Sequence, residues 1–237
     1  MSKKIAIMQP YIFPYLGYFQ LVSLVDEFIF YDDVNFIKKG WIHRNYIHVN
    51  GKKYLFSIPL EKKSQNKAIN ETNIKRNMFK EWKEKFLTSL KQNYATAPNF
   101  KPVEKLVHSI LNSDCETIAG LSSKSIIAVA NYLEFNTTFK FSSHLDSSTT
   151  ALKAEDRILS ICNVQAAKSY YNLKGGKDLY EDYNFKEKNI DLKFIQLEEL
   201  GIKELYPQLD PYISIIDLLM FLDKKEMQEL LKLYKLD

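Results

Sequence analysis

A mixed α/β fold, opening with a β-α-β unit and continuing through an antiparallel hairpin into a helical C-terminal part, is what this 237-residue sequence predicts. Three observations carry that reading. Residues 4–8 (KIAIM) and 27–31 (EFIFY) are short apolar runs suited to buried strands. Between them, apolar residues recur at 16, 19, 21, 22, 24 and 25, the spacing of a buried helix. Segments 41–49 and 53–59 flank Asn50-Gly51, a pair that tolerates the positive φ angles of a tight hairpin turn.

The first strand ends at Gln9-Pro10-Tyr11-Ile12-Phe13-Pro14, where two prolines forbid a continued ladder. Strand, helix and strand within about 30 residues is the size of a right-handed crossover with parallel strands. Ligands in such sheets bind at the carboxyl ends of the strands, which puts residues 9–15 and Asp32-Asp33 on one rim. After the hairpin, residues 61–77 are rich in Lys, Asn, Gln and Ser and are expected to form a mobile loop. Phe79, Trp82, Phe86, Leu90 and Tyr94 then mark one helical face, and Ala97-Pro98-Asn99 ends it.

Helices are expected over 101–112 and 116–133, the second interrupted on its polar side by Ser122, Ser123 and Ser125. A strand over 138–142, a helix over 152–164 and a strand over 167–172 follow. Lys174-Gly175-Gly176-Lys177 is either a close-approach segment for a ligand or a tight turn before a helix near 178–183. A strand at 192–195 and helices at 213–222 and 224–234 complete the chain. No repeat and no long linker divides it, so residues 1–237 read as one α/β domain.

Composition narrows function. The 46% hydrophobic content excludes low-complexity disorder, and no G-x-G-x-x-G or G-x4-G-K-[ST] sequence occurs, which excludes the familiar dinucleotide and Walker phosphate cradles. Two cysteines and four scattered histidines set no metal-ligand spacing, so no metal site is expected, and no cofactor is named. Low cysteine content, an apolar N-terminal run stopped by Gln9-Pro10, and a late apolar stretch broken by Ser214 and Asp217 point to a cytoplasmic protein without a transmembrane segment.

The net charge of +4 conceals an asymmetry: residues 1–110 hold 18 basic and 9 acidic side chains, the remainder 15 and 20. That suits a phosphorylated small substrate, the lysine run being a solvated face and not a nucleic-acid surface. The expected partner is thus a phosphorylated small molecule. Arginine is confined to Arg44, Arg76 and Arg157. Lys39 and Arg44 around Trp41 offer a point charge, a planar fork and a flat apolar plate. Asp156 and Arg157 can pair locally.

Candidate site residues concentrate in the first 46 positions. Asp32 and Asp33 are the expected catalytic carboxylates, although Asp-Asp also caps turns, and alternation along an extended chain lets at most one face a pocket, with Asp33 favoured. Gln9, Tyr11, Pro14, Tyr15, Gly17, Tyr18, Lys39, Trp41, Arg44 and Asn45, together with Lys174, Gly175 and Gly176, are the expected substrate contacts. Gly17 near a helix start would let backbone N–H groups approach an anion.

Residues 8–21 (MQPYIFPYLGYFQL), 31–34 (YDDV) and 39–45 (KGWIHRN) resemble the WbqC-like family, as do 94–98 (YATAP), 157–162 (RILSIC), 175–180 (GGKDLY) and 214–219 (SIIDLL). The resemblance spans almost the whole chain. It implies a role in bacterial O-antigen (lipopolysaccharide) or related surface-polysaccharide biosynthesis, as a transferase that modifies a nucleotide-linked sugar by aminoacyl (glycine) or acyl transfer. The alternative is a non-catalytic sugar- or nucleotide-binding partner of a glycosyltransferase. Residues 15–18 (YLGY) are also similar in position to the His-x-Gly-His helix start of the nucleotidylyltransferase-like fold. Tyrosines replace both histidines and cannot supply an imidazolium to a developing phosphate charge.

Overall fold

The computed structural model describes residues 2–145 and 147–237. Strand β1 (Lys4–Met8), helix α1 (Leu16–Leu24) and strand β2 (Glu27–Phe30) form the expected crossover. β2 lies parallel to β1 with Ile5 opposite Glu27 and Met8 opposite Phe30. The hairpin β3 (Arg44–Val49) and β4 (Lys52–Ser57) turns at Asn50 and Gly51, with φ of 50° and 71°. Both values are positive, as a two-residue turn between twisted strands requires.

Helices α2 (Arg76–Tyr94), α3 (Phe100–Leu111) and α4 (Ile118–Tyr132) lead to β5 (Thr138–Phe141), α5 (Ala154–Val164) and β6 (Ser169–Leu173). Then come α6 (Asp182–Glu187), β7 (Asp191–Leu197), α7 (Glu199–Leu205), α8 (Ile215–Phe221), α9 (Lys224–Leu230) and β8 (Tyr234–Leu236). The C-terminal part is rich in helices, and it also supplies four of the six strands of the main sheet, ordered β5-β2-β1-β6-β7-β8. All neighbours are parallel except β8, which runs antiparallel to β7 and closes that edge. β1 is central, and the chain winds outward from it in both directions, the order of an open doubly wound sheet.

Strand alternation divides the core. Ala6, Phe28 and Phe30 join α1, α2, α3, α4, α8 and α9 on one face. Ile5, Ile7, Ile29 and Tyr170 meet Ile158, Ile161 and Phe185 on the other. Phe30 and Phe139 stack across β2 and β5 at 5.6 Å, so part of the aromatic excess is core packing.

Three expectations are corrected. Residues 61–77 are held in place: Ile69 and Ile74 are buried, Leu60 bridges Ile74, Asn35 bridges Ala68, and a 3-10 turn spans Ile69–Glu71. The two isoleucines anchor a polar segment whose composition read as solvated. The region after Gly176 is a 3-10 turn (Lys174–Leu179) followed by α6, later than the helix expected near 178–183. The last helix stops at Leu230 because residues 234–236 pair with β7.

The hairpin is fastened to the helices by one buried carboxylate. Asp217 accepts from Tyr94 Oη and lies 3.2 Å from His48 Nδ1, while the His48 N–H donates to Tyr94 Oη at 3.0 Å. Burial and the Asp217 charge raise the Tyr94 pKa, which keeps its hydroxyl a donor. Asp217→Ala strands both partners and is expected to lower unfolding free energy by about 2–4 kcal/mol in urea titrations. A loss below about 0.5 kcal/mol would show that the knot contributes little.

Candidate functional site

At the carboxyl ends of β1 and β6 the chain departs in opposite directions, and such a crevice is where open α/β sheets bind ligands. A cavity of about 710 Å³ occupies it. Met8 lines it from the end of β1, Gln9 and Tyr31 from just beyond β1 and β2, and Asn172 and Leu173 from β6. That volume lies within the roughly 300–1,000 Å³ of small-molecule sites.

The wall after β1 is held in a conformation that few residues tolerate. Phe13 has φ of 42°, and a bulky side chain in the left-handed region costs about 1–3 kcal/mol. Surrounding elements over-determine it. The Phe13 N–H donates to Ser125 Oγ at 3.1 Å, Asn45 Nδ2 donates to the Phe13 carbonyl at 2.8 Å, and the Ile12 N–H donates to the Ile42 carbonyl at 3.1 Å. Ser122 Oγ adds a bond to that same carbonyl. Two of the α4 serines that read as polar breaks in a helix are therefore tethers, Ser125 for the site loop and Ser122 for the segment at Ile42 that holds it, whereas the buried Ser123 hydroxyl is not. Tyr18 Oη donates to the Gln9 carbonyl at 2.9 Å, and the Ile215 N–H to the Pro14 carbonyl at 2.9 Å. Ala154, also lining the cavity, has φ of 47°.

Of the expected contacts, Gln9, Tyr11, Pro14, Tyr15, Trp41, Asn45, Gly175 and Gly176 line the cavity. Gly17, Tyr18, Lys39, Arg44 and Lys174 do not. A side chain at Gly17 would come within 2.7 Å of Tyr15 Cε2, so this glycine makes room for the Tyr15 ring. Tyr18 is fully buried against Phe28. Arg44 Nε donates to the Gly40 carbonyl at 3.1 Å and Nη2 to that of Lys39, while its guanidinium stands 5.7 Å from the Trp41 ring centroid. The fork thus braces the turn that carries Ile37 and Trp41. Lys174 Nζ donates to Gln196 Oε1 at 2.7 Å.

The two carboxylates lie behind the wall. Asp32 is buried and accepts from Ser142 Oγ, the Ser143 N–H, Ser143 Oγ and Asn70 Nδ2, which ties the segment after β5 to the 69–71 turn. Asp33 accepts from Arg157 Nη2 at 2.5 Å. This corrects the local pairing expected for Asp156 and Arg157, since adjacent residues on a helix point apart. Arg157 also sits 4.9 Å from the centroid of the Tyr31 ring. Burial raises the Tyr31 pKa, the Arg157 charge opposes the rise, and the phenol stays protonated at neutral pH.

Sequence reasoning missed Tyr31, Glu155, Asn172, Tyr180 and Tyr212. The signal for Asn172 was present: it stands near the end of a parallel strand, where ligands bind. Asn172 Nδ2 bonds the hydroxyls of Tyr170 and Tyr180 at 3.0 and 3.1 Å, and a side chain at Gly176 would approach it to 3.2 Å. Tyr15 and Tyr212 stack at 6.2 Å. Their phenol pKa values are raised mainly by burial, that of Tyr212 to about 12. Glu155 Oε1 accepts from the Glu181 N–H at 2.6 Å and Oε2 from Asn184 Nδ2 at 2.7 Å. Among the described residues no His, Cys, Asp and Glu side chains gather to hold a metal ion, and no helix is long and apolar enough to cross a membrane.

Fold and site together define an open doubly wound α/β protein with an aromatic-lined cavity at its switch point. The chain belongs to the WbqC-like protein family, which matches residues 9–229. It is 28% identical over 220 residues to an uncharacterized protein of Mycobacterium tuberculosis, Rv1507c, with 92% of this chain and 93% of that protein covered. No solved structure gives a significant match.

His43, next to Arg44, supplies a pH test of the site loop. Burial, then the charges of Lys63 and Arg44, push its pKa from 6.5 down to about 4. Between those values the unfolded chain binds a proton that the folded chain excludes, so stability falls as pH drops from 6.5 toward 4, by roughly 2–3 kcal/mol in all. Melting temperatures across that window are expected to decline more steeply for the wild type than for His43→Phe.

Proposed function

We propose that the protein is a transferase of surface-polysaccharide biosynthesis that seats the sugar of a nucleotide-linked substrate in the switch-point cavity and places an acyl or aminoacyl group on it. The observation that carries this reading is the wall chemistry. Tyr11, Tyr15, Trp41 and Tyr212 offer ring faces and Gln9 offers an amide, beside Asn45 and Asn172 whose amides are engaged with neighbouring backbone and tyrosine groups, a combination that suits the apolar faces and hydroxyl edges of a sugar. Membership in the WbqC-like family supports the same class of substrate.

In the proposed step a carboxylate takes a proton from the acceptor and so frees its lone pair, which forms the new bond to the donor's acyl carbon; the donor's leaving group departs with the electrons of the broken bond and, where the acceptor enters as an ammonium, with its second proton. Glu155 is the carboxylate in the wall. Tyr31, protonated and backed by Arg157 and Asp33, is suited to donate a hydrogen bond to the oxyanion that develops on the acyl carbon. Asp32 and Asp33 act in this scheme as positioning residues, one for the loops and the other for Arg157. Tyr15 in the cavity wall and Tyr18 buried behind it stand where the His-x-Gly-His helix start has imidazoles, which favours acyl transfer over adenylyl transfer. Lys39 and Lys174, beside lining segments, remain the candidate phosphate contacts.

Mass spectrometry of nucleotide-linked amino and hydroxy sugars, incubated with the protein and a panel of acyl thioesters and activated amino acids, tests the reading. A mass increase in one sugar is the expected result. Tyr31→Phe is expected to lower kcat by about 10–1,000-fold with little change in KM. Sugar binding without any mass increase would make the protein a binding partner of another enzyme.

A further inference from the structure

The charge of the cavity wall bears on which part of an activated sugar enters it. Among the described residues that line the cavity, Glu155 is the charged one, and no lysine or arginine joins it. The cations nearby are engaged elsewhere: Arg157 pairs with Asp33 at 2.5 Å, Arg44 braces the carbonyls of Lys39 and Gly40, and Lys174 reaches Gln196. Glu155 itself receives two neutral donors, the Glu181 N–H and Asn184 Nδ2, one on each oxygen. Each carboxylate oxygen can accept a second bond.

Ring faces complete the environment. Tyr31, Trp41, Tyr180 and Tyr212 line the same cavity, and the negative face of an aromatic ring attracts a cation within about 6 Å of its centroid. A phosphate placed here would meet a carboxylate and π-faces, both repulsive to it. An ammonium would meet a fixed counter-ion and a polarisable wall.

We propose that the cavity selects a cationic amine: the free amino group of an amino sugar, held by Glu155 and flanked by the aromatic rings, with the phosphates of the activated sugar left outside the cavity. The inference rests on the transferase reading and narrows its substrate to sugars that carry an unacylated nitrogen.

Calorimetry with UDP-glucosamine and UDP-N-acetylglucosamine, which differ in that charge, tests it. The amine is expected to bind at least about tenfold tighter, the loss expected when a charge-assisted bond is removed. Glu155→Gln, whose amide can keep both neutral partners once Asn184 turns its own, is expected to bring the ratio to about one. Trp41→Leu, at an exposed position, removes a π-face and is expected to weaken the amine more than its acetylated counterpart. Equal binding of the two nucleotides, tighter binding of the acetylated one, or no binding of the amine would overturn the proposal. Equal binding leaves the transferase reading standing, whereas failure of both to bind, together with no mass increase across the panel above, removes both.

Discussion

Parallel pairing of β1 on both sides is the constraint from which the rest of the molecule follows. A parallel neighbour cannot be reached by a tight turn, so the chain crosses from β1 through α1 to β2 on one side, and from β6, entered later from β5 through α5, it continues to β7 on the other. The divergence leaves the carboxyl ends of β1 and β6 uncovered. Five parts of the chain close that gap: residues 9–15, the 37–41 turn, the start of α5, the 174–180 segment and the turn at Tyr212. The hairpin exists outside the main sheet, yet it is coupled to this crevice, because Asn45 at its base holds the loop after β1.

Polar residues near the crevice largely serve the backbone. Asn45, Ser122 and Ser125 satisfy carbonyl and N–H groups of a loop that lies outside any ladder, and a buried loop without such partners would lose about 1–3 kcal/mol for each stranded group. Asp32 does the same for the loops beside β5, and Arg44 for its own turn. With these groups committed to structure, the cavity wall is left to aromatic rings, amides and one carboxylate. Motif residues that suggest chemistry by type can thus be the frame that holds less conspicuous residues in place.

The β-α-β opening and the hairpin were legible because their signals are local: apolar period, paired prolines and Asn-Gly. The rim formed by Gln9, Tyr11, Pro14 and Tyr15 was legible through the same topology. Pairing between distant segments was not. Nothing near Arg157 indicates Asp33, more than a hundred residues earlier, and nothing within residues 234–236 marks them as a strand until β7 lies alongside. Residues 61–77 misled because polar composition outweighed Ile69 and Ile74, the two positions that fasten the segment. Tyr180 and Tyr212 reach the cavity from turns, where sequence period carries no directional information.

The left-handed Phe13 has a consequence for how the molecule assembles. Its conformation is unfavourable until α4 presents Ser125 and the hairpin presents Asn45, so the loop gains nothing from forming early. The strands of the sheet can pair while this loop is still unsettled; the ligand cavity cannot close until helices and hairpin have both docked. The cavity wall after β1 is therefore a product of tertiary docking, and a chain that possessed the sheet without α4 and the hairpin would lack it.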